Sequence, residues 1–353
     1  MKKILFALLA ATMLISCQEK QKQIGVIIPM TGAYSDVGHW MQMGIDLAVE
    51  DLALKGINVS PLYEDSQSSP TTAISAYQKL KTLNGVTHYI STVSSVCLAL
   101  KPIIYKDNTF LFVNAGHKQL ITDDLKIHNI YRHALTIPQE ASFLAAKIKE
   151  NYHNNLNIAL LYTNNDIGVE FNEVFRSQFS DDVHINSISY GEAETNLKNI
   201  VQKLNSQEPD IYVIYGYTRN FAQLIKTIRE QGFNSAIYAN QGFSTPSVIA
   251  NTGLAGNNVF YSDYDIPQNA DMQLLNQRAL KKYNENLSPM AIASYNIMYM
   301  IGTTLSQTTS NNIDDFKTIM STMDNIDING MNISIESGEA YIPLKLVENV
   351  FEK

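Results

Sequence analysis

The chain has 353 residues, of which 45% are hydrophobic and 17% charged, with 34 Asp and Glu against 26 Lys and Arg. This composition excludes a disordered chain, and the length predicts two domains of about 150 residues each. The formal charge of -8 argues against nucleic acid as a partner, and 2 cysteines cannot build a disulfide scaffold or a Cys-rich zinc site.

The N-terminus has the pattern of a bacterial export signal. Two lysines precede an apolar run over 4–15, which is too short for a membrane span of about 20 residues. The run ends in Leu14-Ile15-Ser16-Cys17, which looks like a bacterial lipobox. We therefore predict a signal peptide over 1–16, acylation of Cys17 by a chain such as palmitate, and a lipidated tether over 17–23. The alternative is an ordinary signal peptide whose cysteine is incidental.

From Ile24 onward, short β-rich runs alternate with helical runs. The first set predicts strands at 24–30, 58–65, 88–93 and 109–115, with helices between them. After Pro138 the pattern restarts, with strands at 157–163, 184–190, 211–217, 236–240 and 258–263. Alternation of this kind makes parallel sheets with helices on both faces. The last ninety residues differ, because helices near 271–285, 290–306 and 313–323 precede a terminal hairpin over 332–350.

Motifs of the common catalytic and cofactor sites are missing. The sequence contains no P-loop, no dinucleotide-binding glycine motif, no His-Glu-x-x-His and no nucleophile elbow. The seven histidines are scattered, and only His128 and His133 are close. A spacing of five suits neither face of a helix nor of a strand, so we expect no metal site. We predict a protein that is not an enzyme and needs no cofactor.

Polar or aromatic residues follow several predicted strands. In open α/β sheets, ligands bind outside the carboxyl ends of the strands. The residues at such ends are Tyr34, Ser94, Ser95, Ala115, His117, Tyr217 and Gln241. Each has a plainer interpretation: either serine could cap the next helix, His117 could be a solvated loop residue, and Tyr217 could be a core ring. Their convergence in both halves favours a ligand-binding cleft.

These segments resemble the binding proteins of branched-chain amino acid transporters, over essentially all of 24–350. The resemblance is carried by IGVIIPMTGAYSDVGHWMQMGIDLAVEDL, STVSSVCLALKPI, IALLYTNNDIGVEFNEVF and PDIYVIYGYTRNFAQLIKTIREQGF. It implies a periplasmic binding protein type I fold: α/β, with two doubly wound parallel-sheet lobes joined by a three-stranded hinge. The implied lobe 1 covers 24–135 and 265–328, and lobe 2 covers 136–264 and 329–353. The implied crossovers fall near Ala134–Thr136, Tyr261–Tyr264 and Asp327–Met331.

The site of the resembled family transfers only in part. Its serine that binds the ligand carboxylate falls on Ser95, and its second-lobe tyrosine falls on Tyr217. Where that family has a hydroxyl residue beside the ligand amine, this chain has His117. Where it has the acid that pairs with the ligand ammonium, this chain has Gln241. A buried ammonium without a carboxylate partner is costly. We therefore expect the ligand to be an amide, a urea-like molecule or a carboxylate without an α-amine, and not a branched-chain amino acid.

The resemblance implies a lipid-anchored solute-binding subunit of an ABC importer, held on the periplasmic side or the cell surface. Its partners would be a small-molecule ligand, an ABC transporter permease and the membrane that its lipid enters. Two alternatives remain open. One is a sensor that docks on a chemoreceptor or histidine kinase after binding ligand. The other is a ligand-independent envelope lipoprotein that binds a cell-wall synthase.

Overall fold

The computed structural model describes residues 22–32, 34–121, 128–152, 155–191, 194–216, 220–308 and 312–351. Two mixed α/β lobes make up these residues, as expected from the alternating pattern. The signal peptide, Cys17 and Tyr217 lie outside the described residues. Within those ranges, no helix is long and apolar enough to cross a membrane.

The first lobe is built on a seven-stranded sheet in the order β13-β14-β5-β4-β3-β1-β2. Its strands are β1 (Lys22–Ile28), β2 (Val59–Asp65), β3 (His88–Thr92), β4 (Phe110–Asn114), β5 (Ile130–Arg132), β13 (Ile335–Glu336) and β14 (Glu339–Ala340). Its helices are α1 (Ser35–Leu54), α2 (Pro70–Asn84), α3 (Ser94–Lys106), α9 (Ala270–Tyr283), α10 (Pro289–Gln307) and α11 (Ile313–Ser321). Buried clusters lie on both faces of this sheet.

The second lobe is built on a six-stranded sheet in the order β15-β10-β9-β8-β6-β7. Its strands are β6 (Asn157–Thr163), β7 (His184–Tyr190), β8 (Ile211–Tyr215), β9 (Ile237–Ala239), β10 (Val259–Tyr264) and β15 (Leu344–Asn349). Its helices are α4 (Ile137–Asn151), α5 (Asp166–Ser177), α6 (Leu197–Asn205), α7 (Asn220–Glu230) and α8 (Pro246–Thr252). A separate hairpin joins β11 (Ile326–Ile328) to β12 (Met331–Ile333).

Helix α10 returns to the first lobe because it packs closely along α1. Gly44 of α1 makes this approach possible: a Cβ there would lie 1.9 Å from the carbonyl oxygen of Ala291 in α10. Only hydrogen fits at such a distance, so the two backbones meet directly. This contact explains how the late helices, which follow the second lobe in the chain, come to lie on the first.

Two sequence-based boundaries are wrong. Lys22 and Gln23, expected in the tether, belong to β1 and pair with Val59 and Ser60 of β2. The end of a strand tolerates such polar side chains because they stay partly exposed. In the tail, β13 and β14 pair with the first sheet, whereas we assigned 329–353 to the second lobe. The chain therefore crosses for the third time between Ala340 and Leu344, and not near 327–331.

The three crossing segments run over 133–136, 265–269 and 341–343, and hydrogen bonds tie them together. The hydroxyl of Tyr264 accepts from the backbone N–H of Leu135 at 3.0 Å. The N–H of Asp265 donates to the carbonyl of Pro343 at 2.8 Å. Thr136 then ends the first crossing with a capping box at the start of α4. The hinge is thus a bonded set of segments and not three independent linkers.

His133 lies fully buried within this hinge. Its Nδ1 donates to the carbonyl of Ala340 at 2.9 Å, so its Nε2 accepts from Asn296 Nδ2 at 3.1 Å. Both nitrogens are satisfied only in the neutral ring. Burial lowers the pKa of His133 from 6.5 to about 4, although the bond to Ala340 acts in the opposite direction.

Acid should therefore destabilise the protein through His133. A histidine whose pKa falls on folding contributes its full stability above pH 6.5, and this is lost as the pH falls toward about 4. The loss amounts to at most about 3 kcal/mol. Melting temperatures of the wild type and His133→Gln, measured from about pH 7 to about pH 4, should converge as the pH falls.

His39→Gln is the control, because that side chain is 45% exposed and lies outside the hinge. It should keep the wild-type slope. His88, whose pKa burial also lowers, to about 3, contributes equally in all three proteins and cancels. Parallel curves for the wild type and His133→Gln would contradict the assignment.

Candidate functional site

The candidate residues of the first lobe meet at neighbouring strand ends. β3 and β4 pair so that Thr92 lies beside Asn114, and both strands end there. The residues that follow are Ser94 and Ser95 after β3, and Ala115 and His117 after β4. Tyr34 follows β1, the next strand, and is half-buried at the start of α1. In the second lobe, Gln241 follows β9.

The N-terminus of α3 presents free backbone donors at this edge. The helix begins at Ser94, and the residue before it, Val93, has φ +66°. A β-branched residue in this region is strained by about 1–3 kcal/mol, and such strain is concentrated at functional sites. No side chain caps the helix, so neither Ser94 nor Ser95 has the capping role that we weighed for them. The first turn can therefore bind an anion.

His117 is held in place by β5, β14 and the first crossing. Its Nδ1 accepts from the N–H of Gln119 at 3.2 Å, which leaves Nε2 as the donor of the neutral ring. Its carbonyl accepts from Nη1 of the buried Arg132 at 2.7 Å, and Arg132 binds Glu339 of β14 through its Nε and Nη2. Next to it, a Cβ on Gly116 would lie 2.7 Å from the carbonyl of Leu135. The loop after β4 thus rests directly on the first crossing.

Gln241 lies among acidic residues that the sequence reasoning missed. Its backbone N–H donates to Glu140 Oε1 at 2.6 Å, and the hydroxyl of Ser262 donates to the same oxygen at 2.6 Å. The Gln241 side chain hydrogen bonds with the Asp263 carboxylate and the Tyr264 hydroxyl. Burial raises the pKa of Asp263, and hydrogen bonds from Tyr264 and Gln241 partly oppose it. These carboxylates already hold donors from the protein itself.

Three buried polar side chains near the strand ends have atoms without a hydrogen-bond partner. Asn114 at the end of β4 and Asn240 after β9 each leave Nδ2 unsatisfied, while the Asn240 Oδ1 accepts from the N–H of Gly216 at 3.0 Å. Both carboxylate oxygens of Glu170, in α5, also lack a partner. Unsatisfied buried groups are rare and often mark a binding site. In the sequence the two asparagines sit inside apolar strands, and Glu170 sits in a helix, so nothing marked them.

The arrangement offers binding groups and no catalytic constellation. The first lobe contributes the donors of the α3 N-terminus, and the second contributes carboxylates and amides. Among the described residues, no group of three or more His, Cys, Asp or Glu could hold a metal ion. A pocket of about 510 Å³ lies beside the third crossing and contains none of the candidate residues; it is lined by Pro138, Gln139, Ser142, Phe143, Tyr341 and Leu344.

Comparison with known proteins gives two kinds of match. A family model described as periplasmic binding protein matches residues 21–342. The leucine/isoleucine/valine-binding protein homolog 3 of Brucella melitensis is 20% identical over 229 residues, which are 63% of this chain and 61% of that protein. The match therefore spans less than two thirds of the relative's length.

Solved structures agree on the fold. The leucine-binding protein LivK of Thermotoga maritima superposes with a TM-score of 0.81 at 21% identity, covering 93% of this chain and 95% of that one. A solute-binding protein of Rhodopseudomonas palustris in complex with 3,4-dihydroxybenzoic acid also gives 0.81, at 16% identity over 94% and 93%. Identities this low establish the type I fold alone. Because the family model spans most of its length, the chain belongs to the periplasmic binding proteins, a family of solute-binding proteins and not of enzymes.

Proposed function

We propose that this chain is a lipid-anchored, extracytoplasmic solute-binding protein that captures a small polar ligand between its lobes and delivers it to an ABC importer. The observation that carries the proposal is the strained, uncapped N-terminus of α3, where Ser95 is exposed. Closure of two lobes about a hinge would bury the ligand and create the shape that a permease recognises. Family membership supports the same conclusion.

The proposed ligand is an acid, an amide or a urea-like molecule without an α-ammonium group. Its carboxylate or carbonyl oxygen would accept from the α3 N-terminus and the Ser95 hydroxyl, with His117 and Asn114 as further donors. The neutral Gln241 is already bonded to Asp263, and Glu140 already holds two donors. Neither carboxylate is arranged to receive an α-ammonium at that position.

Ser95→Ala should weaken binding of the best acid found in a thermal-shift screen of aliphatic and aromatic carboxylates. A hydrogen bond to a charged group contributes about 1.5–3 kcal/mol, so calorimetry should show a loss of about tenfold or more. The melting temperature without ligand should not change, because Ser95 is exposed. Ser75→Ala, an exposed serine within α2, is the matched control. Equal affinities for Ser95→Ala and the wild type would overturn the site.

Leucine, isoleucine and valine should not bind in calorimetry with the full chain in detergent, whereas at least one acid or amide without an α-amine should. A ligand at 100 times its dissociation constant stabilises a protein by about 2.7 kcal/mol, which a thermal shift detects easily. Tight leucine binding would keep the general function and refute the ligand class. If no compound of any class binds, the result would favour the ligand-independent lipoprotein instead.

Cys17→Ala should abolish lipid attachment. In bacteria that acylate exported proteins, the wild type should incorporate an alkyne-labelled palmitate and partition with membranes, since stable anchoring needs acyl chains. The variant should incorporate no label. Cys97→Ala is the control, because this buried thiol lies in the core of α3 and cannot meet a lipid-transferring enzyme. Label on the Cys17 variant would contradict the proposed anchor.

A further inference from the structure

Glu170 is a buried carboxylate of the second lobe that pairs with a lysine of the first. It lies one turn into α5, the helix that follows the carboxyl end of β6, and its side chain is only 4% exposed. Among the described residues, its ion-pair partner is Lys118, whose Nζ lies 3.6 Å from Oε1. Lys118 belongs to the first lobe and directly follows His117. The ion pair therefore spans the gap between the lobes next to a proposed ligand-binding residue.

The pair leaves the carboxylate poorly compensated. At 3.6 Å the ammonium is a charge partner but beyond ordinary hydrogen-bond distance, and neither oxygen of Glu170 has another partner. Lys118 itself is 56% exposed, so its ammonium group remains hydrated. A buried carboxylate without hydrogen bonds is costly unless something supplies donors. The position favours a cation that can also donate hydrogen bonds to the carboxylate.

We propose that Glu170 binds a cationic group of the ligand, which takes the place of Lys118. This inference rests on the proposed function and narrows its ligand class. A molecule whose carboxylate accepts from the α3 N-terminus and whose distant ammonium or amidinium reaches Glu170 matches both lobes. Such a ligand is an ω-amino acid or a related compound, and not an α-amino acid, since the position of Gln241 offers no free carboxylate.

Other buried polar groups do not compete for this role. Glu140 is fully buried as well, but its Oε1 already holds Gln241 and Ser262. Glu170 is the described carboxylate that combines burial with two unpartnered oxygens.

The test compares matched ligand pairs on the full chain in detergent by calorimetry. The probes are β-alanine, 4-aminobutyrate, 5-aminovalerate and 6-aminohexanoate, each beside the fatty acid that lacks its amine. At least one amino acid should bind about tenfold or more tightly than its deaminated partner. Glu170→Gln should remove this preference, because the neutral amide that replaces the carboxylate does not attract the ligand's ammonium group. Lys118→Met should increase the affinity for the amino acid, because the competing cation is gone.

Glu173→Gln is the matched control, an exposed glutamate in the same helix, and it should keep the preference. A preference that survives Glu170→Gln, or a wild type that never discriminates between the paired probes, would overturn the inference while the proposed function stands. Equal effects of Glu170→Gln and Lys118→Met on every probe would show instead that the ion pair holds the two lobes together and does not bind the ligand. If no solute of any class binds, the proposed function itself fails. Lys118→Met, at an exposed position, keeps the test valid even if Glu170→Gln folds poorly.

Discussion

The hydrogen bonds among the three crossing segments are the constraint on which the rest of the structure depends. Each lobe has its own core, and these segments are the chain connections that fix how the two sheets face each other. Tyr264 and His133 join them from within, where water cannot compete for the bonds. Because Arg132 connects β14, which leads into the third crossing, to the carbonyl of His117, a change at the hinge reaches the binding loop through a short chain of bonds. Hinge and site are parts of one network.

The sequence predicts the sheets well and the tail poorly, for a physical reason. The central strands β6 and β8 are largely apolar runs of seven and five residues, and burial on both faces makes that pattern visible. β13 and β14 have two residues each, too few for any periodicity. Their place depends on distant partners: Glu339 pairs with Arg132, which lies 207 positions away in the chain. Local pattern carries no information about such a pair.

Part of the candidate site could likewise be predicted from the sequence, and part could not. The rule that ligands bind at strand ends located Ser95, His117 and Gln241, because strand ends can be read from apolar runs. It could not reveal the positive φ of Val93, which only the surrounding packing enforces. Nor could it separate Glu170 from the exposed Glu173, since both occur in one amphipathic helix. Burial of a charge is a tertiary property, and it becomes visible only when the first lobe is in place.

The opposite polarity of the two lobes makes closure selective. The first lobe brings unsatisfied N–H groups at the start of α3, while the second brings the carboxylate of Glu170. In the proposed closure the α3 N-terminus would lose water, whereas Glu170 is already buried, and each desolvated group is costly unless the ligand supplies a bond to it. A ligand with only one matching end offsets the desolvation of one group and leaves the other group unpaired. Selectivity in such a cleft arises from the penalty on the unmatched end as much as from the contacts that are made.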